Sequence, residues 1–124
     1  MSMLSNNKCI LAYRVPEAEI KALKEDGFKI IEVSEEMSEM TISDILEGLR
    51  FETVNINSPK ETVIIFNDFS DEEIKSAVGS IRQRFKGGIF AAVTPTSIEW
   101  KVSYLVEHLI EEREWYLKSQ KGRA

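Results

Sequence analysis

Val63-Ile64-Ile65-Phe66-Asn67-Asp68-Phe69-Ser70-Asp71-Glu72-Glu73-Ile74 is the stretch that decides the fold. Four consecutive large apolar residues, bounded by polar ones, read as a strand. Ser70 stands at capping-box spacing from Glu73: the hydroxyl accepts from the Glu73 backbone N–H while the carboxylate reaches back to the cap. Ile74, Ala77, Val78 and Ile81 then recur at helical spacing, until Gly87 and Gly88 break the pattern. A strand over residues 61–66 therefore runs straight into a helix. The apolar run 89–93 reads as a further strand covered on both faces. Thr96-Ser97-Ile98-Glu99 repeats the capping-box pattern and predicts a last helix from there to about residue 119, with Ile98, Val102, Leu105, Leu109 and Tyr116 near one face.

The first half has the same rhythm. Residues 8–15 read as a strand that ends at Pro16. Pro16 suits a helix start, and Glu17 and Glu19 favour its positive end. Ile20 and Leu23 give that helix an inner stripe, and Gly27 stops it. Residues 28–33 form a second strand, Ile42, Ile45, Leu46 and Leu49 mark a short amphipathic helix, and residues 50–60 are polar and read as a loop. Glu17-Ala18-Glu19-Ile20-Lys21 answers to Asp71-Glu72-Glu73-Ile74-Lys75, and Ile10-Leu11-Ala12-Tyr13 to Val63-Ile64-Ile65-Phe66. We read this as an internal repeat, approximately 8–50 and 61–119, within a single domain over 1–124. The expected fold class is α/β: a duplicated strand–helix–strand–helix unit forming a four-stranded, mainly parallel sheet with right-handed crossovers and helices packed on it. The alternative is a ferredoxin-like α+β sheet, in which the second and third strands are antiparallel.

Composition narrows the function. The 124 residues are 43% hydrophobic and 30% charged, with a net charge of −5, which suits one folded domain rather than a disordered chain. The acidic balance repels phosphate backbones, and Arg82, Arg84 and Lys86, interrupted by Gln83 and Phe85, read as a solvated helix end, so no nucleic-acid partner is expected. Cys9 is the single cysteine. It lies in the apolar run Cys9-Ile10-Leu11-Ala12 and reads as a buried, inert thiol. Residues 1–7 lack the charged segment and apolar stretch of a signal peptide. No apolar run approaches the ~20 residues of a membrane span. The expectation is a cytoplasmic protein with no membrane partner.

Residues 63–66 and 70–74, then Ala91-Ala92-Val93-Thr94-Pro95-Thr96-Ser97, Trp100 and residues 105–112, resemble a family of small bacterial and archaeal proteins catalogued as a domain of unknown function. The Thr-Pro-Thr segment followed by a helical Trp is the most distinctive part. The likeness covers a little under half the chain; it implies a fold and a prokaryotic source, and it assigns no activity.

Two places could carry function. Ligands in open α/β sheets bind beyond the carboxyl ends of the strands, which here directs attention to Asn67, Asp68, Thr94, Thr96 and Ser97, with Arg14 as a source of positive charge. Backbone N–H groups at a helix start would favour a small anionic ligand. Thr96 and Glu99 are equally explained as a helix cap, Pro95 as a turn former, and Trp100 as a packing anchor. The second place is the last helix. At about 33 Å it outruns a strand of about 17–20 Å. Its distal turns carry Trp115, Tyr116 and Leu117, residues of the kind enriched in interface cores. His108, with Glu111 and Glu112, falls short of a metal site, because zinc wants three or four protein ligands. No glycine-rich phosphate loop, H-E-x-x-H, C-x-x-C or G-x-S-x-G motif is present, so no cofactor is expected and the reading leans away from an enzyme. The leading expectation is an interaction or regulatory module that forms a homodimer through its C-terminal helix; the alternative is a small-molecule or anion-binding domain.

Overall fold

The computed structural model describes residues 8–48, 59–85 and 87–121, with side chains as far as residue 118. Its elements are β1 (Cys9–Tyr13), α1 (Glu17–Glu25), β2 (Ile30–Val33), a 3-10 turn (Glu35–Met37), α2 (Ile42–Leu46), β3 (Val63–Asn67), α3 (Asp71–Arg84), β4 (Ile89–Ala92), a second 3-10 turn (Ser97–Glu99) and α4 (Val102–Lys121). The expected 50–60 loop, apart from Pro59 and Lys60, lies outside the described residues, as do residues 1–7, Lys86 and Arg123.

Local chemistry forms these elements largely as read. Pro16 accepts the first α1 bonds, from the Glu19 and Ile20 N–H groups at 3.0 Å each. Gly27, at φ 97°, turns the chain out of α1, a conformation that penalises any residue with a Cβ. Thr41 caps α2 by accepting from the Asp44 N–H at 3.0 Å. Ser70 and Glu73 form the reciprocal capping box at the start of α3.

The sheet is mixed, which corrects the expectation of a mainly parallel one. Its order is β2-β1-β3-β4. β1 pairs parallel with β2, and β3 parallel with β4, but β1 and β3 pair antiparallel in the centre, Leu11 opposite Ile65. The ferredoxin-like alternative also fails, because β1 separates β2 from β3. Each β-α-β unit keeps the parallel pairing its crossover helix imposes. The units then join through their most apolar strands, β1 and β3, whose every residue is buried.

Turning one unit about the sheet normal leaves its crossover helix on the same face. Right-handed crossovers therefore place α1 and α3 together. One core cluster joins Ile10, Ile64 and Phe66 to Leu23 of α1 and to Ala77 and Ile81 of α3. The other joins Leu11, Val63 and Ile65 to Ile42 and Ile45 of α2 and to Val102, Leu105 and Val106 of α4. The result is three layers, helices on both faces of the sheet. The α2 and α4 segments are tied by an antiparallel bridge between Thr41 and Lys101, with Ile42 N–H donating to the Trp100 carbonyl at 3.0 Å and Val102 N–H to the Met40 carbonyl at 2.9 Å.

β4 is apolar but not covered on both faces: it is an edge strand and is only partly buried. The last helix also begins later than its sequence suggests, at Val102.

Candidate functional site

The carboxyl ends of β3 and β4 are neighbours, since Phe66 pairs with Ala92 and the Val93 N–H donates to the Phe66 carbonyl at 2.9 Å. Asn67, Asp68, Thr94, Thr96 and Ser97 therefore gather at one end of the sheet. Arg14 does not join them. It follows β1, which runs the other way, so it lies at the opposite end, where its carbonyl accepts from the Thr62 hydroxyl at 2.8 Å. Its guanidinium pairs with Glu35, which also meets Lys60 at 3.5 Å.

The polar groups at the β3/β4 end are turned on one another. Thr94 N–H donates to the Ser97 hydroxyl at 2.9 Å, Ser97 N–H donates to the Thr94 hydroxyl at 2.9 Å, and the two hydroxyls are 3.1 Å apart. Asn67 is only 8% exposed and sits opposite Cys9. Thr96 accepts no capping bond, and the turn it precedes is a three-residue 3-10 segment. Trp100 and Lys101 then extend to pair with α2's leading residues, so the Thr96 hydroxyl does not face the start of a long helix. Cations at this end include Lys29, just before β2, and Lys8, just before β1, which sequence reasoning passed over. Lys8 is paired with Glu73, with its ammonium 5.1 Å from the centre of the Phe69 ring.

α4 presents the other candidate. Trp115, Tyr116 and Leu117 are 70%, 57% and 51% exposed, and Tyr104 is 53% exposed. A cleft of about 590 Å³ lies between α4 and the start of β4, lined by Ile89, Phe90, His108, Leu109, Arg113 and Trp115 among others. His108 forms an aromatic row with Trp100 and Tyr104. Trp100 meets Tyr104 edge-on at 4.8 Å and His108 at 5.2 Å, while Tyr104 and His108 are stacked at 6.3 Å. Trp100 also packs against the core, so it anchors the row. Tyr104 and His108 stand four residues apart on α4, and Trp100 joins them from the extended segment that precedes the helix. His108 Nε2 lies 3.3 Å from the Glu112 carboxylate. Arg113 is held by Glu61 at 2.8 Å, a hydrogen bond that raises its pKa further.

A second groove of about 590 Å³ lies on the other face, between α1 and α3, with Phe28, Phe69 and Ala77 among its lining residues. Its charges are neutralised in place: Arg84 binds Glu19 at 2.7 Å and Asp26 at 3.4 Å, and Lys8 binds Glu73. Burial pushes the Cys9 thiol pKa up, against a smaller opposing pull from Lys29, the reverse of an activated nucleophile. Among the described residues no group of three or more His, Cys, Asp or Glu could hold a metal ion, and no helix is long and apolar enough to cross a membrane.

No curated protein and no solved structure matches the chain. Residues 62–116, which hold the second β-α-β unit and most of α4, match a family model described as Domain of unknown function (DUF3783).

Proposed function

We propose that this chain is an interaction module that forms a homodimer through α4. The observation that carries the reading is the run Trp115, Tyr116 and Leu117, exposed together on the distal turns of α4. Large aromatic residues are enriched in interface cores, and exposed apolar patches usually have a use. The two units are read as a duplication, on the matching helix starts and on the antiparallel joint between β1 and β3. The acidic charge and single buried cysteine fit a cytoplasmic setting. The anion-binding reading loses support, because Thr94 and Ser97 satisfy each other and Arg14 lies at the far end of the sheet.

The test is native mass spectrometry with sedimentation velocity on the full chain. The expected result is a dimer that becomes a folded monomer in the double variant Trp115→Glu, Leu117→Glu. A wild-type monomer at tens of micromolar, or a dimer that survives the double change, would sink the proposal.

A further inference from the structure

We infer that the second copy joins along the open edge of β4, making one continuous eight-stranded sheet with the two α4 helices side by side. The inference rests on the self-association proposed above and specifies its geometry.

Among the described residues β4 ends the sheet, and its register fixes which of its groups are open there. The Ile89 N–H donates to the Thr62 carbonyl and the Val93 N–H to the Phe66 carbonyl, each at 2.9 Å. Alternate residues of a strand bond to alternate sides, so the backbone of Phe90 and Ala92 faces away from β3. Natural edges are guarded by charges, proline or bulges. The other edge, β2, has such a guard in Glu32, exposed and 3.7 Å from Lys24. β4 reads Ile-Phe-Ala-Ala and carries no charged residue of its own, though the Arg82 guanidinium of α3 lies 5.3 Å from the centre of the Phe90 ring.

An antiparallel two-fold through Ala91 satisfies this edge with the edge itself. Phe90 exchanges both backbone bonds with Ala92 of the second copy. Ala91 then faces Ala91 of the second copy in a non-hydrogen-bonded pair, where Cα atoms approach to about 4.5 Å.

The helix layer agrees. α4 packs on the same face as Val63, Ile65 and Ile89, and its His108, Leu109 and Trp115 line a cleft with Ile89 and Phe90, so its distal half lies beside the β4 edge. Two such helices related by the β4 two-fold therefore flank the joint on one face of the joined sheet, where packed helices stand about 8–10 Å apart. They run antiparallel. Exposed Tyr104 at the start of one is set against exposed Trp115 toward the end of the other, an aromatic match across the seam. An extended peptide added to β4 would satisfy the edge but leave the distal turns of α4 bare. A second copy covers both.

The experiment is disulfide trapping in the full chain. Cys9 is 1% exposed and does not compete. Ala91→Cys places two thiols within the Cα range of a disulfide, and mild oxidation is expected to link most of the protein as dimer. Lys75→Cys, exposed on α3, serves as the background control and is expected to remain monomeric. Ala92→Pro removes one outward N–H without touching a bond to β3 and is expected to raise the dimer dissociation constant at least tenfold. Efficient trapping at position 91 supports the edge joint even if the proline variant folds poorly. Trapping no greater than at position 75, in a wild-type dimer still broken by Trp115→Glu, overturns the edge joint and leaves association through α4 standing. A wild-type protein that is monomeric overturns both.

Discussion

Arg14 and Asp68 each hold a left-handed backbone, at φ 56° and 67°, and among the described residues no other side-chain-bearing residue does. Each directly follows a central strand, β1 or β3, and each stands at the same remove from the helix that comes next, α1 from Glu17 or α3 from Asp71. Because β1 and β3 are antiparallel, the two sit at opposite ends of the sheet. The same sharp turn thus lifts the chain from each central strand into the α1/α3 layer.

A left-handed conformation costs a residue with a Cβ about 1–2 kcal/mol, and glycine adds about 0.5–1 kcal/mol of unfolded-state entropy against that relief. Aspartate tolerates this conformation better than most residues, so Asp68→Gly is expected to shift stability by no more than about 1 kcal/mol, and Asp68→Val to destabilise the fold by about 1–2 kcal/mol. Urea denaturation checks both. Asp68 is the cleaner site, since Arg14 also pairs with Glu35.

The turn after β4 separates two neighbouring hydroxyls. Ser97 is buried and exchanges bonds with Thr94, whereas Thr96 is exposed and makes no capping bond. Ser97→Ala leaves two groups of Thr94 short of a partner and is expected to cost about 1–3 kcal/mol, while Thr96→Ala stays within about 0.5 kcal/mol of the wild type. Thermal denaturation of the two variants side by side decides between this arrangement and a Thr96 cap.

That pair also marks where the sequence stops being legible. Strands, helix starts and the α3 capping box could be read because each depends on residues a few positions apart: the apolar runs, Ser70 with Glu73, Gly27. The α4 start could not. Thr96 and Glu99 have the right local spacing, but Trp100 and Lys101 are taken by pairing with residues 40–42, far away in the chain. The expectation of a mainly parallel sheet failed for the same reason. The central pairing of Leu11 with Ile65 is a contact between halves, and no local pattern distinguishes a parallel from an antiparallel joint of two apolar strands. Of the candidate site, the exposure of Trp115, Tyr116 and Leu117 was legible from helix length, whereas the separation of Arg14 from Asn67 followed only from topology.

Glu73 gives the fold a pH dependence with a definite sign. Its carboxylate accepts from Lys8 and from the Ser70 N–H, and these bonds, the Lys8 bond foremost, hold its pKa below the ordinary 4.5. A depressed folded-state pKa means the unfolded chain takes up the proton first. The stabilisation is therefore complete above about pH 4.5 and is lost as pH falls through the lower folded value. Glu73→Gln is expected to flatten that part of the curve. Urea midpoints from pH 6 down to pH 3 on both proteins measure it; parallel curves would remove Glu73 as the source.

Glu19 and Arg84 tie α1 to α3 across the groove, and the two residues are not equivalent. Glu19 is 6% exposed, while the Arg84 side chain is 35% exposed. Two guanidinium nitrogens of Arg84 bond the two Glu19 oxygens, at 3.3 and 2.7 Å, and this contact is the main reason the Arg84 pKa rises. Removing the arginine strands a carboxylate that water barely reaches. Removing the glutamate leaves a cation that water and Asp26, at 3.4 Å, still serve. Arg84→Met is therefore expected to cost about 1–3 kcal/mol, toward the lower end because solvent screens the exposed guanidinium. Glu19→Met should cost less. The double variant Glu19→Met, Arg84→Met should recover most of the loss, since apolar replacement of a buried pair is often neutral. Urea unfolding of the four proteins forms a double-mutant cycle. A double variant as unstable as Arg84→Met alone would mean that the pair's geometry, rather than the stranded charge, sets the cost.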